Sequence, residues 1–72
     1  MNKIKKYLQS NLPKKFETVK KMLLNAGFEC SYYSTGEAFY DKGCFRFGIY
    51  YTYDKNGIAD KVTDWFFHDC AA

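Results

Sequence analysis

His68 is the one histidine of a 72-residue chain, and it stands two residues before Cys70. With Cys30 and Cys44, these are the side chains best suited to nucleophilic or metal chemistry. Zinc sites gather ligands from short spacings such as Cys-x-x-Cys, and none occurs here. The separations of Cys30, Cys44, His68 and Cys70 fit no standard zinc pattern, so no metal is expected. A Cys44–His68 pair has the elements of a nucleophile and its base, but nothing in the sequence orients it. His68 and Asp69 are chain neighbours, so within a strand they point to opposite faces. Asp41, Asp54, Asp60 and Asp64 fall near turns or on a solvent face, and Gly36, Gly43, Gly48 and Gly57 are too scattered to cradle a phosphate. The expectation is a chain without enzymatic activity and without a cofactor.

Binding chemistry is better supplied. Cys44–Gly57, CFRFGIYYTYDKNG, carries five aromatic residues, and aromatics make up 21% of the chain. Each buried ring removes roughly 150–250 Å² from water, which lets a short chain build a core. Charge is segregated along the sequence. Seven lysines against one glutamate give residues 1–27 a balance of +6, whereas four basic against seven acidic residues give 28–72 a balance of −3. A basic first half suits phosphate or an acidic protein. Arg46 is the only arginine, however, and readers of base edges rely on the planar arginine fork. Sequence-specific DNA recognition is therefore not expected.

These side chains need elements to position them. Ile4, Tyr7 and Leu8 have helical spacing. Pro13 suits the first turn of a second helical stretch, in which Phe16, Val19, Leu23 and Ala26 recur over residues 13–26 and Gly27 provides the stop. Residues 2–26 thus read as an N-terminal helix kinked or split at Pro13. Beyond Gly27 the period becomes two. Phe28, Cys30 and Tyr32 are assigned to one face, Glu29, Ser31 and Tyr33 to the other, and turns follow at STGE and DKG. Phe45, Phe47, Ile49, Tyr51 and Tyr53 form an inward row, with Arg46, Gly48, Tyr50 and Thr52 outward. A three-residue loop at Lys55–Asn56–Gly57 returns the chain, and uniform alternation then sets Phe47 against Trp65 and Phe45 against Phe67. It also places Ala59, Lys61 and Thr63 inward and Val62 outward. Ile58, Val62, Trp65 and Phe66 have helical spacing as well, so a helix competes with the strand over the last segment. The resulting class is α+β. Residues 1–72 form a single domain in which the helix packs on one face of a three- to four-stranded antiparallel meander.

VKKMLLNAGFECSYYSTGEAFY, under a third of the chain, resembles the helix–AGF–strand–turn–strand start of small mRNA-interferase toxins of the HicA type. That family carries a histidine after the turn. Here Gly36 is followed by Glu37, Ala38 and Phe39. The resemblance implies the helix-to-strand order and no activity.

The reading that follows is a small non-enzymatic binding protein that occludes a larger protein or nucleoprotein stoichiometrically, as inhibitors from phages and mobile elements do. Tyr33, Tyr50, Asp60, Asp64 and Phe66, on the outward sheet face, are the expected contacts, because aromatic anchors among acids fit a basic partner. The alternative is a nucleic-acid-binding module using Lys5, Lys6, Lys14, Lys15, Lys20 and Lys21. Residues 1–10 lack the apolar run of a secretory leader, and no stretch is long enough to span a bilayer. A cytoplasmic chain with reduced thiols is expected, either monomeric or paired through an edge strand.

Overall fold

The computed structural model describes residues 2–69. Among them two helices and five strands follow in the order α1 (Asn2–Ser10), β1 (Lys14–Lys15), α2 (Phe16–Asn25), β2 (Glu29–Ser34), β3 (Glu37–Lys42), β4 (Phe45–Tyr53) and β5 (Ala59–Asp69). The helical stretch is split at Pro13. The residue before a proline is steered away from the helical region, so α1 ends at Ser10. Pro13 itself lies outside α2: Lys14 and Lys15 pair with Val62 and Lys61, and the helix starts at Phe16. This pairing adds a fifth strand to the expected meander, giving an antiparallel sheet of order β1-β5-β4-β3-β2.

The helix stop is legible in its hydrogen bonds. Gly27 N–H donates to Leu24 C=O (3.0 Å) and Phe28 N–H to Leu23 C=O (3.0 Å), the paired bonds of a Schellman cap. Gly27 has φ +92°, which a side chain would disfavour. Lys42 Nζ donates to the Ala26 carbonyl (2.7 Å), so a cation from β3 meets the negative end of the helix. Both helices lie on one face of the sheet. Ile4 and Leu8 of α1 and Phe16, Val19 and Leu23 of α2 share a buried cluster with Phe28, Ala38, Tyr40, Phe47, Ile49 and Val62. The other sheet face carries no helix. No helix among the described residues is long and apolar enough to cross a membrane.

The segment that read as strand or helix is a strand, and its spacing is explained by two bulges. The Lys55–Gly57 loop is present as expected: Tyr53 pairs with Ala59, Asp54 N–H donates to Ile58 C=O (2.8 Å), and Asp54 Oδ1 accepts from Asn56 and Ile58. The register then shifts twice. Thr52 pairs with Lys61 and Tyr53 with Ala59, leaving Asp60 as an extra residue; Tyr50 pairs with Asp64 and Tyr51 with Val62, leaving Thr63 as another. Two single-residue bulges move the far end by two places. Phe47 therefore faces Phe67, Ile49 faces Trp65 and Phe45 faces Asp69, which corrects the pairs drawn from uniform alternation. Between the bulges the faces invert. Val62, expected outward, is fully buried, and Lys61 and Thr63, expected inward, are exposed.

A third bulge, at Ser31, acts on β2. Cys30 pairs with Tyr40, but Tyr32 pairs with Phe39 and Tyr33 with Ala38. Tyr32 thereby joins the helix-free face, and Tyr33 turns to the helix side, the reverse of the alternating reading.

Candidate functional site

The helix-free face carries three cross-strand rows through β3, β4 and β5, with a fourth, Thr52–Lys61–Lys15, through β4, β5 and β1. The first contains Asp41, Arg46 and His68, the second Phe39, Gly48 and Phe66, and the third Glu37, Tyr50 and Asp64, taken in each case from β3, β4 and β5. Tyr32 of β2 extends the middle row beyond Phe39. Of the residues expected here, Tyr50, Asp64 and Phe66 are brought together. Tyr33 lies on the other face because of the Ser31 bulge, and Asp60, itself a bulged residue, has no place in the rows.

The middle row is an aromatic cluster. Tyr32 and Phe39 rings are 5.0 Å apart, Phe39 and Phe66 meet edge to face at 5.5 Å, and Tyr50 lies 6.3 Å from Phe66. Gly48 makes this arrangement fit. A Cβ at that position would collide with the Phe66 ring, so the absence of a side chain lets the ring lie down over β4. Phe39, Tyr50 and Phe66 are half-buried by one another, while Tyr32 remains 46% exposed. Sequence reasoning did not place Phe39 on this face. Its alternation with Ala38 and Tyr40, both buried, was the available signal.

Charge on the face is asymmetric. In the first row Arg46 donates from Nε and Nη2 to the two oxygens of Asp41, at 2.7 and 2.9 Å, and its guanidinium carbon lies 5.1 Å from the Phe39 ring centre. The hydrogen bonds from Arg46 hold the Asp41 carboxyl below the usual carboxylate range, against a smaller opposing effect of burial. That row neutralises itself. In the third row the Glu37 side chain makes no hydrogen bond or ion pair, and the Asp64 carboxylate accepts only the backbone N–H of Trp65 (2.8 Å). Neither carboxylate makes an ion pair, although Lys61 and Lys15 stand in the next row of the same face.

Cys44 and His68 line one shallow hollow of about 250 Å³ with Asp41, Gly43, Phe45 and Arg46. Topology therefore brings together a thiol and an imidazole that lie far apart in sequence. The ring of His68 makes no hydrogen bond, and the nearby Asp41 is bonded to Arg46, so nothing orients a base toward the thiol. Cys30 and Cys44 are exposed free thiols, and Cys70 lies outside the described residues.

Of the six candidate lysines, Lys5, Lys6, Lys20 and Lys21 lie on the helices, whereas Lys14 and Lys15 belong to the edge strand β1, where Lys15 pairs with Lys61 on the helix-free face. Two of them are occupied within the fold: Lys5 Nζ lies 3.8 Å from the centre of the Phe67 ring and Lys14 Nζ 4.5 Å from that of Tyr7. Lys6, Lys15 and Lys21 are exposed, and Lys20 is half-buried. Lys15 alone of the six shares the face of the aromatic cluster, at its β1 edge, and the lysines of the helices do not line that cluster. Compared with family models, curated proteins and solved structures, the chain matches none of them.

Proposed function

We propose that the chain is a small binding protein whose helix-free sheet face docks on a larger protein and occludes it stoichiometrically. The observation that carries this reading is the continuous Tyr32–Phe39–Phe66–Tyr50 cluster on a face that no helix covers. Partly exposed aromatic residues gain from a partner that completes their burial. Glu37 and Asp64 beside the cluster suit basic groups of a partner, and Lys61 and Lys15 in the next row suit acidic ones, so a protein surface of mixed charge fits this face.

Affinity capture from a host lysate, with and without nuclease, tests the proposal. The wild-type chain is expected to retain one protein in stoichiometric amount after nuclease treatment. Tyr50→Ala/Asp64→Lys is expected to lose it while unfolding at unchanged denaturant concentration. Equal capture by the double variant would remove the site assignment. Recovery only of nuclease-sensitive complexes would move the function to the lysines of α1, β1 and α2.

A further inference from the structure

β5 has an open side. β1 pairs only with Val62 and Lys61, so no strand among the described residues lies alongside residues 64–68 on that side. Backbone direction agrees. Tyr51 N–H donates toward β3, to Gly36 C=O (2.9 Å), so by alternation Tyr50, Gly48 and Arg46 turn toward β5 and bond with Asp64, Phe66 and His68. Trp65 and Phe67 therefore aim their N–H and C=O groups out of the sheet. The Trp65 N–H is taken by the carboxylate of its own neighbour Asp64 (2.8 Å) in place of a strand. Elsewhere the edges are blunted: β1 is two lysines behind Pro13, and β2 carries the Ser31 bulge. Residues 64–68, DWFFH, contain no lysine, no proline and no bulge.

We infer that β5 pairs antiparallel with β5 of a second copy about a two-fold axis at Phe66, joining two five-stranded sheets into one. Ladder bonds form between residues whose backbone groups point at one another, so Trp65 and Phe67 must meet outward groups of the second copy. Centring on Phe66 sets Trp65 against Phe67 of the second copy, and Phe67 against its Trp65. It also sets Asp64 against His68 of the second copy. Centring on Trp65 would instead oppose Asp64 to Phe66, and centring on Phe67 would oppose Phe66 to His68, so charge selects the Phe66 register. Once Phe67 C=O of the second copy accepts the Trp65 N–H, the Asp64 carboxylate is released to face an imidazole that makes no hydrogen bond within its own chain. Across the joint, the row Asp41–Arg46–His68 continues as Asp64–Tyr50–Glu37 of the second copy, basic end to acidic end. Lys61 and Lys15 pair with each other outside this window. The axis is normal to the sheet, so both helix-free faces lie on one side, and the pairing does not depend on the docking reading above.

Sedimentation equilibrium of the full chain over a broad concentration range, with amide hydrogen exchange at both ends of that range, is the test. A reversible monomer–dimer equilibrium is expected, in which the Trp65 and Phe67 amides exchange several-fold more slowly at high concentration and the β2 amides do not change. Asp64→Lys and His68→Asp should each weaken the dimer roughly tenfold, since the two-fold repeats each modest charge contact. Asp64→Lys/His68→Asp restores opposite charges across the axis and should regain most of the wild-type affinity. A chain that remains monomeric throughout, protection that rises on β2 instead, or a double variant as weak as the single ones would overturn the pairing.

Discussion

Gly48→Ala is the most informative single substitution, because the structure gives it opposite signs in two backgrounds. In the wild-type chain the new methyl group would collide with Phe66 and force its ring off β4. That removes the edge-to-face contact with Phe39 at 5.5 Å and the looser contact with Tyr50 at 6.3 Å. Aromatic pairs contribute about 0.5–1.5 kcal/mol each, so roughly 1–2.5 kcal/mol is lost. Gly48 does not have positive φ, so alanine fits its backbone and returns about 0.5–1 kcal/mol through reduced chain entropy. The net expectation is a destabilisation of about 1 kcal/mol, within a span of about 0–2. With Phe66→Ala already present, the collision is gone and only the gain remains, so the same substitution should stabilise by about 0.5–1 kcal/mol. Urea unfolding of the four proteins gives the coupling directly. A coupling within ~0.5 kcal/mol, the range of independent sites, would refute the claim that Gly48 is bare in order to seat the Phe66 ring.

Other expectations follow from burial and electrostatics. Val62→Ala should cost about 2 kcal/mol in urea unfolding, whereas Lys61→Ala and Thr63→Ala should each stay within about 0.5 kcal/mol; the reverse order would refute the doubly bulged register. Asp41 should titrate below the ordinary carboxylate range in carbon-detected NMR and return to that range in Arg46→Gln. Because its folded pKa is depressed, its stabilisation is present above the ordinary carboxylate pKa and is lost as pH falls through the lowered one. Burial, reinforced by Tyr53, pushes the Tyr51 hydroxyl up to about 12. The corresponding stability is complete below pH ~10 and is lost as pH rises toward about 12. Phenolate absorbance against pH should show this late titration, and Tyr51→Phe should remove it.

How much of this was legible depended on whether the signal was local. Gly27 marked a helix end, and the Asp54–Gly57 loop was set by its own residues, so both were readable. Phe47 and Ile49 were assigned to the core by alternation and lie there. Alternation failed at Ser31, Asp60 and Thr63, where an extra residue enters a ladder. Nothing in serine, aspartate or threonine announces a bulge. It follows from how each strand meets its neighbour and the helices. The three-residue spacing of Val62 and Trp65 therefore reflects one sheet face interrupted by the Thr63 bulge, whereas Ile58 is exposed before the strand. The same blindness misplaced Tyr33 and Asp60, whereas Tyr50, Asp64 and Phe66 lie beyond the bulges in register with β4 and were found. β1 was missed because two lysines carry no strand signal of their own and pair only because Val62 and Lys61 are alongside.

The bulges also decide where the chain tolerates changes of length. β5 has 11 residues against 9 in β4, and the surplus is Asp60 and Thr63. Removing either one would close its bulge into a regular ladder and leave every other residue with the partner and face it has now. Removing Lys61 or Asp64 would also close a bulge, but with Asp60 or Thr63 in the vacated rung, and removing Val62 would bring Thr63 into the core. Thr63 and Asp60 are thus positions at which deletion is milder than it is at their immediate neighbours, and their loss would change the bend of the strand more than its core. Lineages that trim this hairpin would be expected to trim it there, keeping the aromatic rows intact while flattening the sheet beneath them.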